Sequence, residues 1–246
     1  MEAKLTYDLA IVVPCYNEEK KLSLTEYNLF LSQHKNVFLC FVNDGSADKT
    51  IDALTEINRA FPNNTYILNL KKNVGKGNAV REGVLYVLNN ISSNNIAYLD
   101  ADLATPFSEI LRLNNILKNN SSANLVFGSR VLTLNNSIQR KKYRHLIGRV
   151  VASFISVILK SKIYDTQCGA KVMTKPCAEA VFKQLFLSRW LFDVEIFMRI
   201  KKAFGKLDIF THEEPLKLWE DKGKSSVKWS YGLFVWWDLF KIHLRG

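Results

Sequence analysis

The chain has 246 residues, of which 48% are hydrophobic, and its 34 Lys and Arg outnumber 23 Asp and Glu for a formal net charge of +11. This length and apolar content exclude a disordered chain and favour one sizeable α/β domain. The positive charge indicates a polyanionic partner: nucleic acid, an anionic membrane or a phosphate-rich substrate. A merely soluble basic surface would carry the same excess.

Predicted strands and helices alternate through the first half of the chain. Apolar, β-branched runs predict strands at Leu9–Val13, Val37–Val42, Thr65–Leu70, Ile96–Leu99 and Asn124–Phe127. Periodic stretches predict helices at Asp48–Ala60, Gly77–Leu88 and Phe107–Leu117, with Asp48 and Pro106 as helix starts. The alternation predicts a mainly parallel sheet with helices on both faces. Such sheets bind ligands at the carboxyl ends of their strands, where the polar motifs of this chain fall.

The second half has two apolar stripes at helical spacing, one over Ile147–Ile158 beside a basic cluster at 140–149 and one in the tail over Trp229–Leu244. A further helix is expected at Trp190–Phe204. Either stripe suits a membrane surface or ordinary core packing. We expect a catalytic region over 1–228 followed by an amphipathic aromatic helix over 229–246. No signal peptide or spanning segment is expected, because the longest apolar run has ten residues and a span needs about 20.

The four cysteines, Cys15, Cys40, Cys168 and Cys177, form no CxxC pair and match no zinc spacing. Reduced thiols in a cytoplasmic protein are therefore expected, and Cys168 is assigned to packing.

The strongest local motif is Asp100-Ala101-Asp102, directly after a hydrophobic strand. Alternate residues of a strand share a face, so both carboxylates can point into one crevice. A hard divalent cation such as Mg²⁺ takes one or two carboxylates together with substrate phosphates. The alternative is a strand end followed by an aspartate that caps a helix.

Three other motifs follow strands. In Val13-Pro14-Cys15-Tyr16-Asn17-Glu18-Glu19, Pro14 is expected to end the first strand. Tyr16 can stack on a base, and Asn17 and Glu18 can bond its edge or the ribose; alternatively Asn17 caps a helix.

In Asn43-Asp44-Gly45-Ser46-Ala47-Asp48, Asp44 is placed for a ligand, whereas Asp48 is interpreted as a helix cap or part of an Asx turn. Gly75-Lys76-Gly77 opens a helix, where glycine-rich backbone and the Lys76 charge favour an anion. The segment lacks the Walker A pattern, which excludes a P-loop nucleotidase.

Taken in order, VVPCYNEE, VNDGSADKT, NVGKGNAVREG, YLDADLATP and VFGSR resemble the inverting GT-A nucleotide-sugar transferases of family 2. DTQCGAK at 165–171 and RWLFDVE at 189–195 are similar to the polyprenyl-phosphate sugar synthases, with the dolichyl-phosphate glucosyltransferases nearest. The resemblance spans about residues 8–227. It implies a GT-A fold, a nucleotide-sugar donor, a polyprenyl-phosphate acceptor, and Mg²⁺ or Mn²⁺ as cofactor.

The resemblance also implies roles at matching positions. The nucleotide-binding set is Pro14, Tyr16, Asn17, Glu18, Asp44, Lys76, Asp100 and Ala101. The metal pair is Asp100 and Asp102, and the catalytic set is Asp102, Arg130, Asp193 and Glu195. The acceptor or phosphate set is Gln167, Lys171, Lys222 and Lys224. Two alternatives stay open: Arg130 in a surface salt bridge, and Asp193 and Glu195 as acidic residues at a helix start.

Two departures bear on the sugar. Mannose synthases of this type have Gln after the metal motif where this chain has Ala104, and their Gly-x-Ser-Lys segment is replaced by Trp219–Ser226. Both departures favour glucose from UDP-glucose over mannose from GDP-mannose.

An ionised phosphate acceptor needs no strong base, whereas transfer to a glycan hydroxyl would need one, for which Asp193 is the candidate. We expect a peripheral enzyme at the cytoplasmic face of a membrane, and no nucleic-acid partner because no such motif appears.

Overall fold

The computed structural model describes residues 6–131, 137–139 (backbone only), 155–189 and 191–222. The strands are β1 (Thr6–Cys15), β2 (Val37–Asp44), β3 (Thr65–Leu70), β4 (Ser92–Leu99), β5 (Leu125–Ser129), β6 (Ser137–Gln139), β7 (Ala170–Thr174), β8 (Thr211–Pro215) and β9 (Leu218–Glu220). The helices are α1 (Leu24–Gln33), α2 (Thr50–Ala60), α3 (Lys76–Asn90), α4 (Phe107–Asn119), α5 (Lys175–Phe182), α6 (Phe192–Phe204) and α7 (Leu207–Phe210). Residues 155–159 are also helical.

The central sheet has seven strands in the order β3-β2-β1-β4-β7-β5-β8, and β6 and β9 form a separate parallel pair. All neighbours in the central sheet are parallel except β7, which runs antiparallel to both β4 and β5. The mainly parallel sheet expected from the sequence is therefore confirmed. The chain progresses outwards from β1 to β3 and then returns to the other side of β1 with β4. The crevice between the ends of β1 and β4 is the point where such sheets bind ligands.

Helices cover both faces of the sheet, as expected, because successive strand residues point to opposite sides. On β1, Ala10 and Val12 face the layer that contains α3, α5 and α6. Leu9, Ile11 and Val13 face the layer that contains α1, α2 and α4. Two separate hydrophobic cores result. Both hold the sheet rigid beneath the loops at its carboxyl edge.

Most predicted elements are present, with small boundary differences. The helix expected from Asp48 begins at Thr50, because the Asp48 carboxylate accepts the Thr50 N–H at 3.0 Å and so forms a turn before the first helical residue. Pro106 is the N-cap of α4, as expected. Asn17 caps no helix, since α1 begins later with Ser23 as its N-cap.

Pro14 does not end the first strand, contrary to the prediction: it pairs with Val42 of β2 and the strand continues to Cys15. On the other side, β1 pairs with β4 only as far as Val12. At Pro14 one edge of β1 therefore has no ladder partner, a position where a residue without an N–H is tolerated.

The four cysteines are buried and free, in agreement with the sequence. Burial raises the pKa of Cys168 to about 11, so this thiol stays protonated, as its assignment to packing requires. The described residues contain no helix that is both long and apolar enough to cross a bilayer. The tail over 229–246, Lys224, the whole basic cluster at 140–149 and residues 147–154 of the first apolar stripe lie outside the described residues.

The Gly83→Ala substitution tests the packing of α3 on the sheet. Helix propensity alone predicts a gain of about 1 kcal/mol in the free energy of unfolding. An added Cβ, however, would lie 2.4 Å from Val12 Cγ1 and 2.7 Å from Val42 Cγ2, and overpacking costs about 1–3 kcal/mol. We expect a net loss in urea denaturation, with exposed Asn89→Ala on the same helix as the control. A more stable Gly83→Ala protein would contradict this packing.

Candidate active site

The loops that follow β1 and β2 are joined by hydrogen bonds between the two predicted nucleotide motifs. The Asn17 N–H donates to Ser46 Oγ at 3.0 Å, and Asn17 Oδ1 accepts the Ala47 N–H at 2.9 Å. The Glu18 N–H donates to Thr50 Oγ1 at 2.8 Å. The side-chain amide oxygen of Asn17 thus already accepts a backbone N–H. The Tyr16 side chain is 48% exposed and free to stack on a planar group.

Asp44, at the end of β2, binds the loop that precedes α3. Its two carboxylate oxygens accept the Val74 N–H at 2.7 Å and the Gly75 N–H at 3.0 Å. Burial raises the pKa of Asp44, although these donors and the charge of Arg189 lower it. Gly75 has φ +88°, and a Cβ at this position would lie 2.8 Å from Arg189 Nε. Asp44 therefore fixes the backbone that leads directly to Lys76, and contact with a nucleoside stays a prediction.

Three acidic groups act on one another through their charges where β1 and β4 end, and we call Glu18, Asp100 and Asp102 the carboxylate cluster. Burial, followed by the charge of Asp100, raises the pKa of Asp102. The pKa of Glu18 is also raised, first by burial and in part by the charges of Asp102 and Asp100, although Lys21 opposes the shift. The carboxylates thus repel one another in a partly desolvated crevice. The two aspartates are close enough to act on each other through their charges, and a shared crevice stays a prediction.

The backbone of the Asp100-Ala101-Asp102 motif is held in place by hydrogen bonds. Tyr27 on α1 donates its hydroxyl to the Ala101 carbonyl at 3.0 Å, and Ala101 is buried in the core. Asp102 Oδ1 accepts the Ala104 N–H at 3.0 Å, and the Leu103 N–H donates to the Asp100 carbonyl at 3.2 Å. The structure thus explains why the middle residue of the motif is small. The prediction that Ala101 touches the nucleotide is not supported by its burial.

Lys76 neutralises part of this negative charge. Its ammonium lies 2.5 Å from Asp100 Oδ1, with about a third of each side chain exposed. Burial by itself would lower the pKa of Lys76, but the charges of Asp100, Asp193 and Asp102 raise it above its usual value. The ammonium therefore stays charged, in the position that an anionic ligand would approach.

The residues fit a divalent cation held jointly with a ligand. A cation is already drawn to Asp100 in the form of the Lys76 ammonium. Within the described part of the chain no group of three or more His, Cys, Asp and Glu side chains forms a complete metal site. Asp100 and Asp102 can therefore supply one or two ligands, as Mg²⁺ uses when substrate phosphates and water complete its shell.

Arg130, at the end of β5, is bound by Asp165. Its Nε and Nη2 donate to the two Asp165 oxygens at 2.7 and 2.8 Å, and its backbone N–H donates to Oδ2 at 3.0 Å. Its guanidinium also lies 5.6 Å from the centre of the Trp219 ring. Arg130 is therefore in a salt bridge, as the alternative held, although the pair is largely buried rather than on the surface. Contact with a phosphate stays a prediction.

Lys171 and Asp193 differ most from their predicted positions. Lys171 is fully buried, and its ammonium donates to the carbonyls of Thr166 and Cys168 and to Asp193 Oδ1 at 2.9, 2.7 and 2.6 Å. Tyr98 also donates its hydroxyl to Asp193 Oδ1. All three donors of Lys171 are used inside the protein, and its contact with the acceptor stays a prediction.

Glu195 also binds groups within the protein. Its carboxylate accepts the N–H groups of Leu187 and Ser188 at 2.9–3.1 Å, and Arg199 lies 3.5 Å away. Glu195 thus shapes the loop before α6, and its catalytic role stays a prediction. With Asp193 it also fits the alternative of acidic residues in the first turn of a helix.

The remaining predicted residues, Gln167, Lys222 and Lys224, belong to the acceptor or phosphate set. The side-chain nitrogen of Gln167 is buried and has no hydrogen-bond partner among the described residues, and its acceptor role stays a prediction. Lys222 donates to Glu26 of α1 at 3.3 Å. The Glu220 N–H donates to the Ala104 carbonyl at 3.0 Å, so β9 lies beside the metal motif. Lys224 lies outside the described residues.

Sequence reasoning assigned no role to Asp165, Glu213 or Tyr27. Glu213 accepts the N–H groups of Tyr164 and Asp165 at 2.8 and 2.7 Å and so orients the partner of Arg130. These residues are distant in sequence, and only the sheet brings them together. The one available signal was the place of Asp165 at the start of the DTQCGAK segment.

Comparisons with known proteins agree with this geometry. The model of the glycosyl transferase family 2 matches residues 10–187. A dolichyl-phosphate beta-glucosyltransferase of Mus musculus is 33% identical, with 98% of this chain and 76% of the relative covered. A dolichyl-phosphate beta-glucosyltransferase of Trichomonas vaginalis is 31% identical, with 95% and 72% covered.

Among solved structures, the fold is similar to glucosyl-3-phosphoglycerate synthase from Mycobacterium tuberculosis in complex with Mn²⁺, uridine-diphosphate-glucose and phosphoglyceric acid. The TM-score is 0.71 at 15% identity, with 96% of this chain and 80% of that chain covered. The likeness confirms the GT-A fold. Together with the family match over most of the chain, it leads to one assignment: this chain is a glycosyltransferase that belongs to family 2.

Proposed function

We propose that this enzyme transfers glucose from UDP-glucose to a dolichyl-type polyprenyl phosphate with inversion, assisted by Mg²⁺ or Mn²⁺. The observation that carries the proposal is the carboxylate cluster at the β1–β4 crevice with the Lys76 ammonium 2.5 Å from Asp100. The names of the relatives, dolichyl-phosphate beta-glucosyltransferases, support the choice of sugar and acceptor.

On the donor side, Tyr16 offers an exposed ring for the base, and Asp44 holds the loop that presents Lys76. Asp100 and Asp102 would hold the metal ion, which when bound neutralises charge on the leaving diphosphate. Lys76 adds a second positive charge at the same place and is oriented by Asp100. These residues bind and orient the donor, and none of them needs to exchange a proton.

On the acceptor side, the chemistry needs no strong base. A phosphomonoester has a second pKa near 6, so its oxygen is ionised at neutral pH and can attack the anomeric carbon directly. Displacement in line inverts that carbon and yields a β-linked product from an α-linked donor. Asp193, the base that a hydroxyl acceptor would require, is instead bonded to Tyr98 and Lys171 in the interior, which favours the phosphate acceptor.

We also propose that the protein meets the cytoplasmic surface of a membrane without spanning it, through the aromatic tail over 229–246 that follows a catalytic region over 1–228. The supporting features are the tail's tryptophans and the basic cluster in the sequence, since such residues suit an anionic interface. Co-sedimentation with anionic vesicles tests this, and unchanged binding after Trp236→Ser and Trp237→Ser would count against it.

A donor and acceptor screen tests the proposed reaction. Purified protein would receive UDP-glucose or GDP-mannose, with a polyprenyl phosphate or the matching polyprenol, in Mg²⁺, Mn²⁺ or EDTA. We expect glucosyl transfer to the phosphate only, abolished by EDTA and reduced at least about 100-fold by Asp102→Asn. Transfer from GDP-mannose alone would refute the sugar, and transfer to the polyprenol or a glycan hydroxyl would refute the acceptor.

Replacement of Asp193 separates a buried structural carboxylate from a general base. We expect Asp193→Asn to lower the melting temperature but to reduce kcat by less than about tenfold, whereas loss of a base costs about 10²–10⁴-fold. Glu195→Gln, in the same helical turn, is the matched control for lost structure. A selective loss of kcat in Asp193→Asn beyond 100-fold would point to a hydroxyl acceptor.

Replacement of Lys76 tests two interactions: its ion pair with Asp100 and its proposed contact with the donor diphosphate. In Lys76→Met, Asp100 loses its competing cation, so we expect Mn²⁺ alone to bind about tenfold tighter, whereas UDP alone binds about tenfold weaker, about 1.4 kcal/mol in each direction. Lys21→Met is the control, because Lys21 lies 3.2 Å from Glu18 and also acts on Asp102 through its charge. The affinities for Mn²⁺ and UDP would be measured by calorimetry. Equal changes in both variants would indicate a general effect of positive charge rather than a specific contact of Lys76.

A further inference from the structure

Gly169 lies directly across the sheet from Asp100. The antiparallel pairing of β4 with β7 ends at Leu99 and Ala170, so the next facing positions are Asp100 and Gly169. A Cβ on Gly169 would lie 2.1 Å from Asp100 Oδ2, 2.4 Å from Cγ and 2.6 Å from Oδ1. No L side chain fits there. The constraint is space rather than conformation, because Gly169 is not in the left-handed region.

The turn that delivers Gly169 is fixed by a buried lysine. The Lys171 ammonium donates to the carbonyls of Thr166 and Cys168, on either side of Gln167 and immediately before Gly169. A carbonyl buried without a donor costs free energy, so these bonds select one backbone path for the turn. Lys171 is also the cross-strand partner of Tyr98. The Tyr98–Lys171 pair is two residues from the Asp100–Gly169 pair along each strand.

Asp193 completes this arrangement from α6. It accepts the third Lys171 proton at 2.6 Å and the Tyr98 hydroxyl proton, so strand β4, strand β7 and helix α6 meet at one carboxylate. Lys171 and Asp193 are both almost fully buried. A buried ion pair of this kind rarely adds stability beyond what apolar packing would give. What the pair does provide is the geometry that it imposes on neighbouring groups.

We infer that Gly169 and Lys171 are positioning residues for Asp100: the bare α-carbon of Gly169, held in place by the Lys171 bonds, sets the direction of the Asp100 carboxylate. The carboxylate lies against Gly169, and its Oδ1 is also 2.5 Å from the Lys76 ammonium. These two neighbours together restrict the directions in which the carboxylate can turn. The inference rests on the proposed function only where it treats Asp100 as a donor and metal residue.

A double-mutant cycle in melting temperature tests the contact without any ligand. Gly169→Ala should lower the melting temperature of the wild-type chain by several degrees. In an Asp100→Ala background the carboxylate is absent, so Gly169→Ala should cost less than half as much. If Gly169→Ala is insoluble by itself, the Asp100→Ala/Gly169→Ala protein should be recovered folded. An equal cost in both backgrounds, or no recovery, would overturn the contact.

A second measurement asks whether the contact matters for the metal. We expect Gly169→Ala to weaken Mn²⁺ binding in the presence of UDP by at least tenfold. Gly83→Ala is the matched control, because its Cβ also meets close neighbours but in the core, at Val12 and Val42. Gly83→Ala should lower the melting temperature and leave the Mn²⁺ affinity within twofold. Equal losses of affinity in the two variants would overturn the positioning role.

The Lys171 part is tested with Asp193 neutralised in both variants, so that the two differ only in the Lys171 side chain. Lys171→Met/Asp193→Asn should weaken Mn²⁺ binding with UDP by at least about fivefold, whereas Asp193→Asn alone, which keeps the bonds to both carbonyls, should change it less than twofold. Equal affinities in the two would overturn the role of Lys171. Absence of Mn²⁺ binding by the wild-type chain would refute the proposed metal site instead, and the thermal cycle would still decide the Gly169 contact.

Discussion

The Asp100 carboxylate is the constraint on which the active site depends. It lies beside two other acidic groups, Glu18 and Asp102, whose pKa values are raised by burial, and isolated charges are costly in such surroundings. The Lys76 ammonium lies 2.5 Å from its Oδ1, and the bare α-carbon of Gly169 lies against the same carboxylate. The loop that carries Lys76 is in turn bonded to Asp44 at the end of β2. Three strand ends thus cooperate to hold one charge in place.

Several polar side chains that resemble catalytic groups in sequence prove to hold the scaffold. Arg130 is bound by Asp165, Lys171 by Asp193 and two carbonyls, and Glu195 by two backbone N–H groups. Each is buried with its main hydrogen-bonding capacity used, as buried polar groups must be. Chemistry that needs mobile protons would have to find them elsewhere. A reaction between an ionised phosphate and an activated sugar makes no such demand, which is why the geometry and the proposed acceptor are compatible.

The two halves of the sheet contribute different segments to the proposed site. The parallel strands β1 to β4 end in the loops that would receive a nucleotide diphosphate. The antiparallel β7, inserted between β4 and β5, turns its preceding segment, residues 165–169, towards the same crevice. β9 lies next to Ala104 and completes the rim near Arg130 and Trp219. The segments proposed for the acceptor side therefore lie far from the donor motifs in sequence.

The sequence by itself determined the alternating elements, the mainly parallel sheet, the two-sided core and the position of Asp100 and Asp102 at a strand end, because periodicity and strand-tip motifs are local properties. It did not predict β7, β8 or α1, whose patterns are short or weakly periodic. It could not tell Lys171 from a solvent-facing lysine, nor Gly169 from a turn glycine. Burial and hydrogen-bond partners are properties of contacts between distant segments, and only the tertiary structure decides those.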